Sequence, residues 1–189
     1  MIDFIEEQHI YLKDGIIVPS VSEILHFIFP NKYINVPSKV LNKKADYGSK
    51  VHEAIEVLEK YGEGIELNTY QELAIDQYFK LKKKYGIEVL EQEQMISYNY
   101  DYCGRFDMVA RIGDDVSLCD IKTTAELDRE YLSWQLSFYE LAKDEKYDKL
   151  YVIWLPKKEL GQLIEIERKG KEELLNKLKE FQLWKENMK

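Results

Sequence analysis

Cysteine is scarce in this 189-residue chain, which has only Cys103 and Cys119. Two thiols cannot supply a four-cysteine zinc site or hold a four-cysteine iron–sulfur cluster, and they do not staple a small secreted fold. A reducing cytoplasm is therefore the expected setting, and the opening residues carry no recognisable secretory leader. Glycine and proline number only nine and four, and no segment has the low complexity of a flexible linker. Long apolar runs are also missing; none approaches the ~20 residues a membrane-spanning helix needs. Nor is positive charge in excess. Against 35 Asp+Glu stand 27 Lys+Arg, a net charge of −8 and a pI near 5.1. As a whole, such a molecule does not attract polyanions or acidic membranes, so any nucleic-acid contact has to be local.

What is present suffices for a core: 45% of residues are hydrophobic and 33% charged. The expectation is one domain over residues 1–189. Residues 1–46 give a hairpin, a short helix and a basic irregular arm, 47–167 the core, and 168–189 a closing helix. Tyr11 to Val18 reads as the hairpin, and Ser20 or Ser22 caps a short apolar helix near Val21–Phe29. From Asn31 to Lys50, five lysines face one acid, Asp46. Such a run reads as a solvated loop face or as a phosphate-contacting arm through Lys39, Lys43, Lys44 and Lys50.

Two amphipathic helices follow, Tyr47 to about Lys60 and another closed by Gly86. The apolar period then changes from 3.6 to 2, predicting strands over Glu88–Tyr100, Cys103–Ile112 and Val116–Lys122. Residues 128–145 return to helix, Tyr147–Leu155 and Gln162–Glu167 read as strands, and Lys171–Lys185 as a helix. This order predicts an α/β (α+β) fold, a mixed central sheet of about five strands flanked by helices.

The second and third of these strands carry the chemistry. Phe106, Met108, Ala110 and Ile112 alternate with Arg105, Asp107, Val109 and Arg111, which sets Asp107 on the face opposite the apolar one. Val116, Leu118, Asp120 and Lys122 share a face. A turn at Gly113-Asp114, or the wider Ile112-Gly113-Asp114-Asp115, brings Asp107 directly opposite Asp120. Opposed side chains lie only ~5 Å apart at Cβ, where two like charges repel and call for a cation. Mg²⁺ prefers one or two carboxylates plus substrate to a full protein cage. Lys122 stands beside that pair, placed to orient a water or offset charge on a phosphoryl group. The competing reading is a plain salt-bridge network among Arg105, Asp107, Asp120 and Lys122.

Gly104-Arg105-Phe106-Asp107, then Asp120-Ile121-Lys122-Thr123-Thr124, then Gln135-Leu136-Ser137-Phe138-Tyr139, resembles the PD-(D/E)xK nuclease superfamily in its RecB-type and phage recombination exonuclease branch. Upstream, Gly48-Ser49-Lys50-Val51-His52 is similar to that branch's histidine motif, and Val18-Pro19-Ser20-Val21-Ser22-Glu23-Ile24-Leu25 to the opening of phage-encoded members. Phe106 stands where the superfamily name has proline. The resemblance covers about residues 8–155. It implies a restriction-endonuclease-like core in which His52, Asp107, Asp120 and the backbone carbonyl of Ile121 hold Mg²⁺ or Mn²⁺. Lys122 is then the catalytic lysine, and Gln135 and Tyr139 support the site. Glu56, one turn from His52, is an alternative ligand.

The expected function is metal-dependent hydrolysis of DNA by an exonuclease of phage or mobile-element recombination, favouring linear duplex. A homo-oligomer and a single-strand annealing or other recombination partner are implied by resemblance, with no membrane and no iron–sulfur cluster. Two alternatives stay open: a structure-specific or single-strand endonuclease on the same fold, and a non-catalytic nucleic-acid-binding or interaction module. Acids such as Glu88, Glu91, Glu93, Asp101, Glu126, Asp128 and Glu130 have no role in this reading beyond solubility.

Overall fold

The computed structural model describes residues 1–8 and 10–188. Strands β1 (Ile2–Ile5), β2 (Ile10–Lys13) and β3 (Ile16–Val18) form an antiparallel sheet in that order. The expected hairpin is β2–β3, turning at Asp14 and Gly15, both at positive φ as a tight two-residue turn requires. Strand β1 adds a third member, its Ile2 and Phe4 packing toward Tyr11, Val18 and Cys103.

Helix α1 (Val21–Ile28) starts at Ser20. The serine side chain takes the Glu23 amide and Glu23 returns a bond to the Ser20 amide, a reciprocal cap that satisfies two otherwise orphaned donors. Helix α2 runs over Ser38–Tyr61, 24 residues. Residues 38–46 are therefore helical, not the irregular arm the lysine run suggests. Pro37 sits just ahead of the first turn, where its missing amide costs nothing, and no Gly or Pro interrupts the next ten residues. Helix α3 (Thr69–Tyr85) is capped by Asn68 and ends at Gly86, whose φ of +63° suits glycine.

The main sheet comprises β4 (Glu88–Tyr98), β5 (Tyr102–Ile112), β6 (Asp115–Lys122), β7 (Lys149–Trp154) and β8 (Gln162–Glu165), in that spatial order. All neighbours are antiparallel except β6 and β7, which are parallel and joined through helix α4 (Arg129–Lys143). Helix α5 (Lys171–Asn187) closes the chain. The fold is thus the α+β arrangement expected, a mixed five-stranded sheet with flanking helices.

Both faces of that sheet are buried. On one, α1, α4 and α5 contribute Val21, Leu25, Leu132, Phe138 and Phe181 to a cluster with Tyr102, Phe106 and Leu118. On the other, α2 and α3 bring Val51, Ile55 and Tyr78 against Met108, Cys119 and Ile153. Adjacent residues of β6, Leu118 and Cys119, therefore belong to opposite layers, so the strand carries apolar residues on both of its faces. Both cysteines are buried and unbridged. Several acids without a role in the sequence gain partners: Glu88 pairs with Arg111, Glu91 with Lys143, Glu130 with Lys169, and Asp128 caps α4. Among the described residues no helix is long and apolar enough to cross a membrane.

Candidate metal centre

The β5–β6 hairpin turns at Gly113-Asp114, with Gly113 at φ +64°. Its ladder pairs Ile112 with Asp115, Arg111 with Val116, Ala110 with Ser117, Val109 with Leu118 and Met108 with Cys119. That register leads toward Asp107 and Asp120, and the ladder ends one pair short of them. There a side chain takes over: the Ile121 amide donates to Asp107 Oδ2 at 2.6 Å.

The alternation on β5 differs from the sequence reading at this point. Phe106 and Val109 lie in the α1/α4/α5 layer, whereas Met108 and Ala110 lie in the α2/α3 layer. Strict period 2 would put Phe106, Met108 and Ala110 together, so the phase slips by one residue at Asp107. The cause is visible on β4. Gln92 pairs with Met108 and Gln94 with Phe106, and between those pairs lie Asp107 and Glu93, the latter at φ +50°. That left-handed backbone is rare for a side chain larger than glycine and is sustained only where the surroundings enforce it.

The slip places Asp107 within reach of α2. That helix docks through Val51, Ala54 and Ile55, and the same turn carries His52 to the sheet. His52 Nδ1 lies 3.4 Å from Asp107 Oδ1. One ligand atom each from His52, Glu93 and Asp107 lie within 4.8 Å of one another. Glu93 escaped the sequence analysis, where it was one acid among many. Its only sequence signal is a position on the strand before Asp107, and the positive φ that brings it inward leaves no mark in the residue pattern. Glu93 also pairs with Arg105 at 2.9 Å.

Asp120 is 2% exposed. Lys122, two residues along the same face of β6, holds its Nζ 2.7 Å from Asp120 Oδ2. Behind them on α4, the Gln135 amide donates to Tyr139 Oη at 3.2 Å, while Gln135 Oε1 is buried with no hydrogen-bond partner among the described residues. Tyr139 reaches this depth because Gly104 makes room. A Cβ on Gly104 would lie 2.8 Å from Tyr139 Cε1.

Of the expected residues, then, the structure brings His52 and Asp107 together and sets the Asp120–Lys122 and Gln135–Tyr139 pairs alongside. Glu56 is turned to Lys60, four residues on, and lies outside the group of three. Lys39, Lys43 and Lys44 are exposed on the first turns of α2, and Lys50 pairs with Glu53.

The electrostatics show a site short of positive charge. Burial, with the Asp107 charge adding to it, pushes Glu93 up to about 7 despite Arg105. Burial likewise pushes Asp120 up to about 6, Lys122 opposing and Asp107 assisting. Asp107 is the exception. Burial raises it, but the charge and hydrogen bond of His52, the charge of Lys122 and the Ile121 amide outweigh that and hold it low. For His52, burial acts downward and Asp107 more than restores it. The donor set, one imidazole and carboxylates converging where ionisation is penalised, fits a divalent cation, which would relieve the penalty.

No family model matches the chain, and no curated protein matches it. Solved structures that resemble it include SSO0001, 16% identical over 88% of this chain and 76% of that one, with a TM-score of 0.46. Another is a phage related exonuclease from Haemophilus somnus 129PT, 13% identical over 87% and 89% of the two chains, TM-score 0.43. A third is an alkaline exonuclease from Laribacter hongkongensis, 14% identical over 76% and 80%, TM-score 0.45.

Proposed function

We propose that this chain is a divalent-metal-dependent DNA nuclease of the PD-(D/E)xK type, an exonuclease acting at the ends of linear duplex. One juxtaposition carries the reading: His52, Glu93 and Asp107 converge within 4.8 Å beside a lysine held to a buried carboxylate. A salt-bridge network evolved for stability would neutralise its acids. Here Glu93 and Asp120 are left at about 7 and about 6, so the arrangement is unfavourable until a cation arrives.

His52, Glu93 and Asp107 would hold Mg²⁺ or Mn²⁺, with Asp120 and the Ile121 carbonyl as further donors. When bound, such an ion stabilises charge developing on a phosphoryl group and acidifies a water molecule. The chain's own groups supply the positioning. The Ile121 amide fixes Asp107, and Asp107 orients the His52 ring. Lys122 keeps its charge against burial through Asp120 and Asp107, and presents a cation to a phosphate as its negative charge grows. Gln135 and Tyr139 wall the site behind Asp120. The exposed Lys39, Lys43 and Lys44 project on the first turns of α2 as phosphate contacts, local positive charge on an acidic protein. The motif resemblance extends the reading to a homo-oligomer working with a single-strand annealing or other recombination partner.

The test is cleavage of end-labelled linear duplex beside a closed circle of the same sequence, with Mg²⁺, Mn²⁺ or chelator, for wild type and Lys122→Ala. Metal-dependent loss of the linear form alone, absent in the variant, is the expected result. Cutting of the circle would replace exonuclease by endonuclease, and failure of any divalent ion to bind would return the site to a salt-bridge network.

A further inference from the structure

A row of aromatic rings stands at the start of α4 and takes no part in the metal centre. Phe29, just beyond α1, packs against Tyr131 in the first turn of α4 with ring centroids 5.5 Å apart. Lys32 lies 4.1 Å from the Tyr131 centroid and 5.7 Å from that of Tyr33. Lys32 also pairs with Asp128, the residue that caps α4. The segment between α1 and α2 is thereby tied down against the first turn of α4. Tyr131 precedes Gln135 and Tyr139 by one and two turns on the same side of α4, so the rings border the site; burial pushes the hydroxyls of Tyr33 and Tyr131 up, to about 12 for Tyr131, with the Lys122 charge opposing it at both.

Tyr33 is nonetheless 42% exposed, and Ile34 after it 71%. A ring that merely filled the core would be covered. This one is held at the surface by an anchored segment, with a cation at its flank, near the lysine proposed to face the phosphate. Such a combination suits a nucleotide: an aromatic face for the base and an ammonium for the neighbouring phosphate.

We infer that Tyr33, backed by Lys32 and Tyr131, is a stacking platform for a nucleobase flanking the phosphate handled at Lys122, so that the strand enters the site unpaired. The inference rests on the nuclease reading and adds to it the form of the substrate. In duplex DNA both faces of an interior base are covered by its neighbours, so a base can lie on Tyr33 only after it has left the stack. Stacking of one base on an aromatic side chain strengthens binding by about fivefold or more.

The experiment compares three probes by fluorescence anisotropy at constant salt, with Ca²⁺ replacing Mg²⁺: a labelled 12-nucleotide single strand, its abasic twin with the same phosphates, and the blunt duplex. Wild type, Tyr33→Ala and Tyr33→Phe are each measured, and cleavage of the same strands in Mg²⁺ and Mn²⁺ is followed separately. The platform predicts that wild type binds the normal strand about fivefold or more tighter than the abasic one. Tyr33→Ala removes that difference and Tyr33→Phe keeps it. Unfolding midpoints stay level across the three proteins, since Tyr33 lies in an exposed turn. Equal binding of normal and abasic strands by a wild-type protein that still cuts DNA overturns the platform and leaves the nuclease reading standing. A protein that neither binds nor cuts any strand with any metal overturns both.

Discussion

Glu93→Gln should make the metal-free protein more stable while weakening its hold on a cation. Glu93 has a pKa of about 7 in the folded protein against an ordinary 4.5. Between those values the folded state binds more protons than the unfolded chain, so stability falls as pH rises through the window, and the full penalty is present above about pH 7. At about 1.4 kcal/mol per pH unit that penalty is about 3 kcal/mol. Solvent reaching the 15% of Glu93 that is exposed, and loss of the pair with the half-exposed Arg105, trim the expected gain to about 2 kcal/mol. For a chain of this length that gain is a rise in Tm of roughly 4–8 °C.

The assay is thermal and urea unfolding in chelator at pH 5 and pH 8. At pH 8 the variant should exceed wild type by the amount above; at pH 5, with most of the wild-type carboxyl already protonated, the two should agree to within about 0.5 kcal/mol. Saturating Mn²⁺ should then reverse the order, because wild type gains about 2.7 kcal/mol at a hundredfold excess over Kd and the variant, having lost a ligand, gains less. A variant no more stable than wild type at pH 8 would mean instead that Arg105 already neutralises Glu93 and that burial leaves no penalty there.

Lys122→Ala should lower cleavage by about 100-fold or more and also cost about 2 kcal/mol of stability at pH 8, because Asp120 loses the cation 2.7 Å away. Adding Asp120→Asn should return most of that stability but no activity, as unfolding and cleavage of the double variant will show. Gly104→Ala should cost about 1–3 kcal/mol, its Cβ meeting Tyr139 at 2.8 Å and Val21 at 3.2 Å; a neutral result in urea unfolding would mean that Tyr139 moves freely. Ser20→Ala should cost about 1 kcal/mol through loss of the α1 cap, read from the same curves with no change in cation binding.

The sequence carried the hairpin register because turn chemistry sets it: Gly113-Asp114 permits one pairing, which runs from Ile112–Asp115 to Met108–Cys119 and leads toward Asp107 and Asp120. Asp120 and Lys122 on one face of β6 were legible for a similar reason, a short strand with regular alternation. His52 was legible only through the order of motifs, since an imidazole among Val51, Ala54 and Ile55 is what core packing also produces. The early start of α2 was hidden by composition, because a lysine-rich run after a proline satisfies the pattern of a loop as well as that of an exposed helix. Glu93 was illegible for a deeper reason. The register shift between Val89 and Glu91 and the positive φ at Glu93 break period 2 on β4, and a sequence pattern reports only periods that are kept.

That break also bears on how the candidate site draws on both layers of the fold. A side chain on a regular strand addresses a single face of the sheet, yet the candidate site draws His52 from the α2 layer and Asp120, Lys122 and Tyr139 from the layer of α4. Asp107 joins them from the point where the alternation slips, with Oδ1 toward His52 and Oδ2 on the amide of Ile121. Straightening β4 at Glu93 would restore ordinary backbone geometry and local stability. It would also return Asp107 to one face of the sheet and take it from His52 or from the Ile121 amide. The strained residue and the geometry of the site are thus a single feature: the backbone that brings Glu93 inward is the one that sets it beside His52 and Asp107.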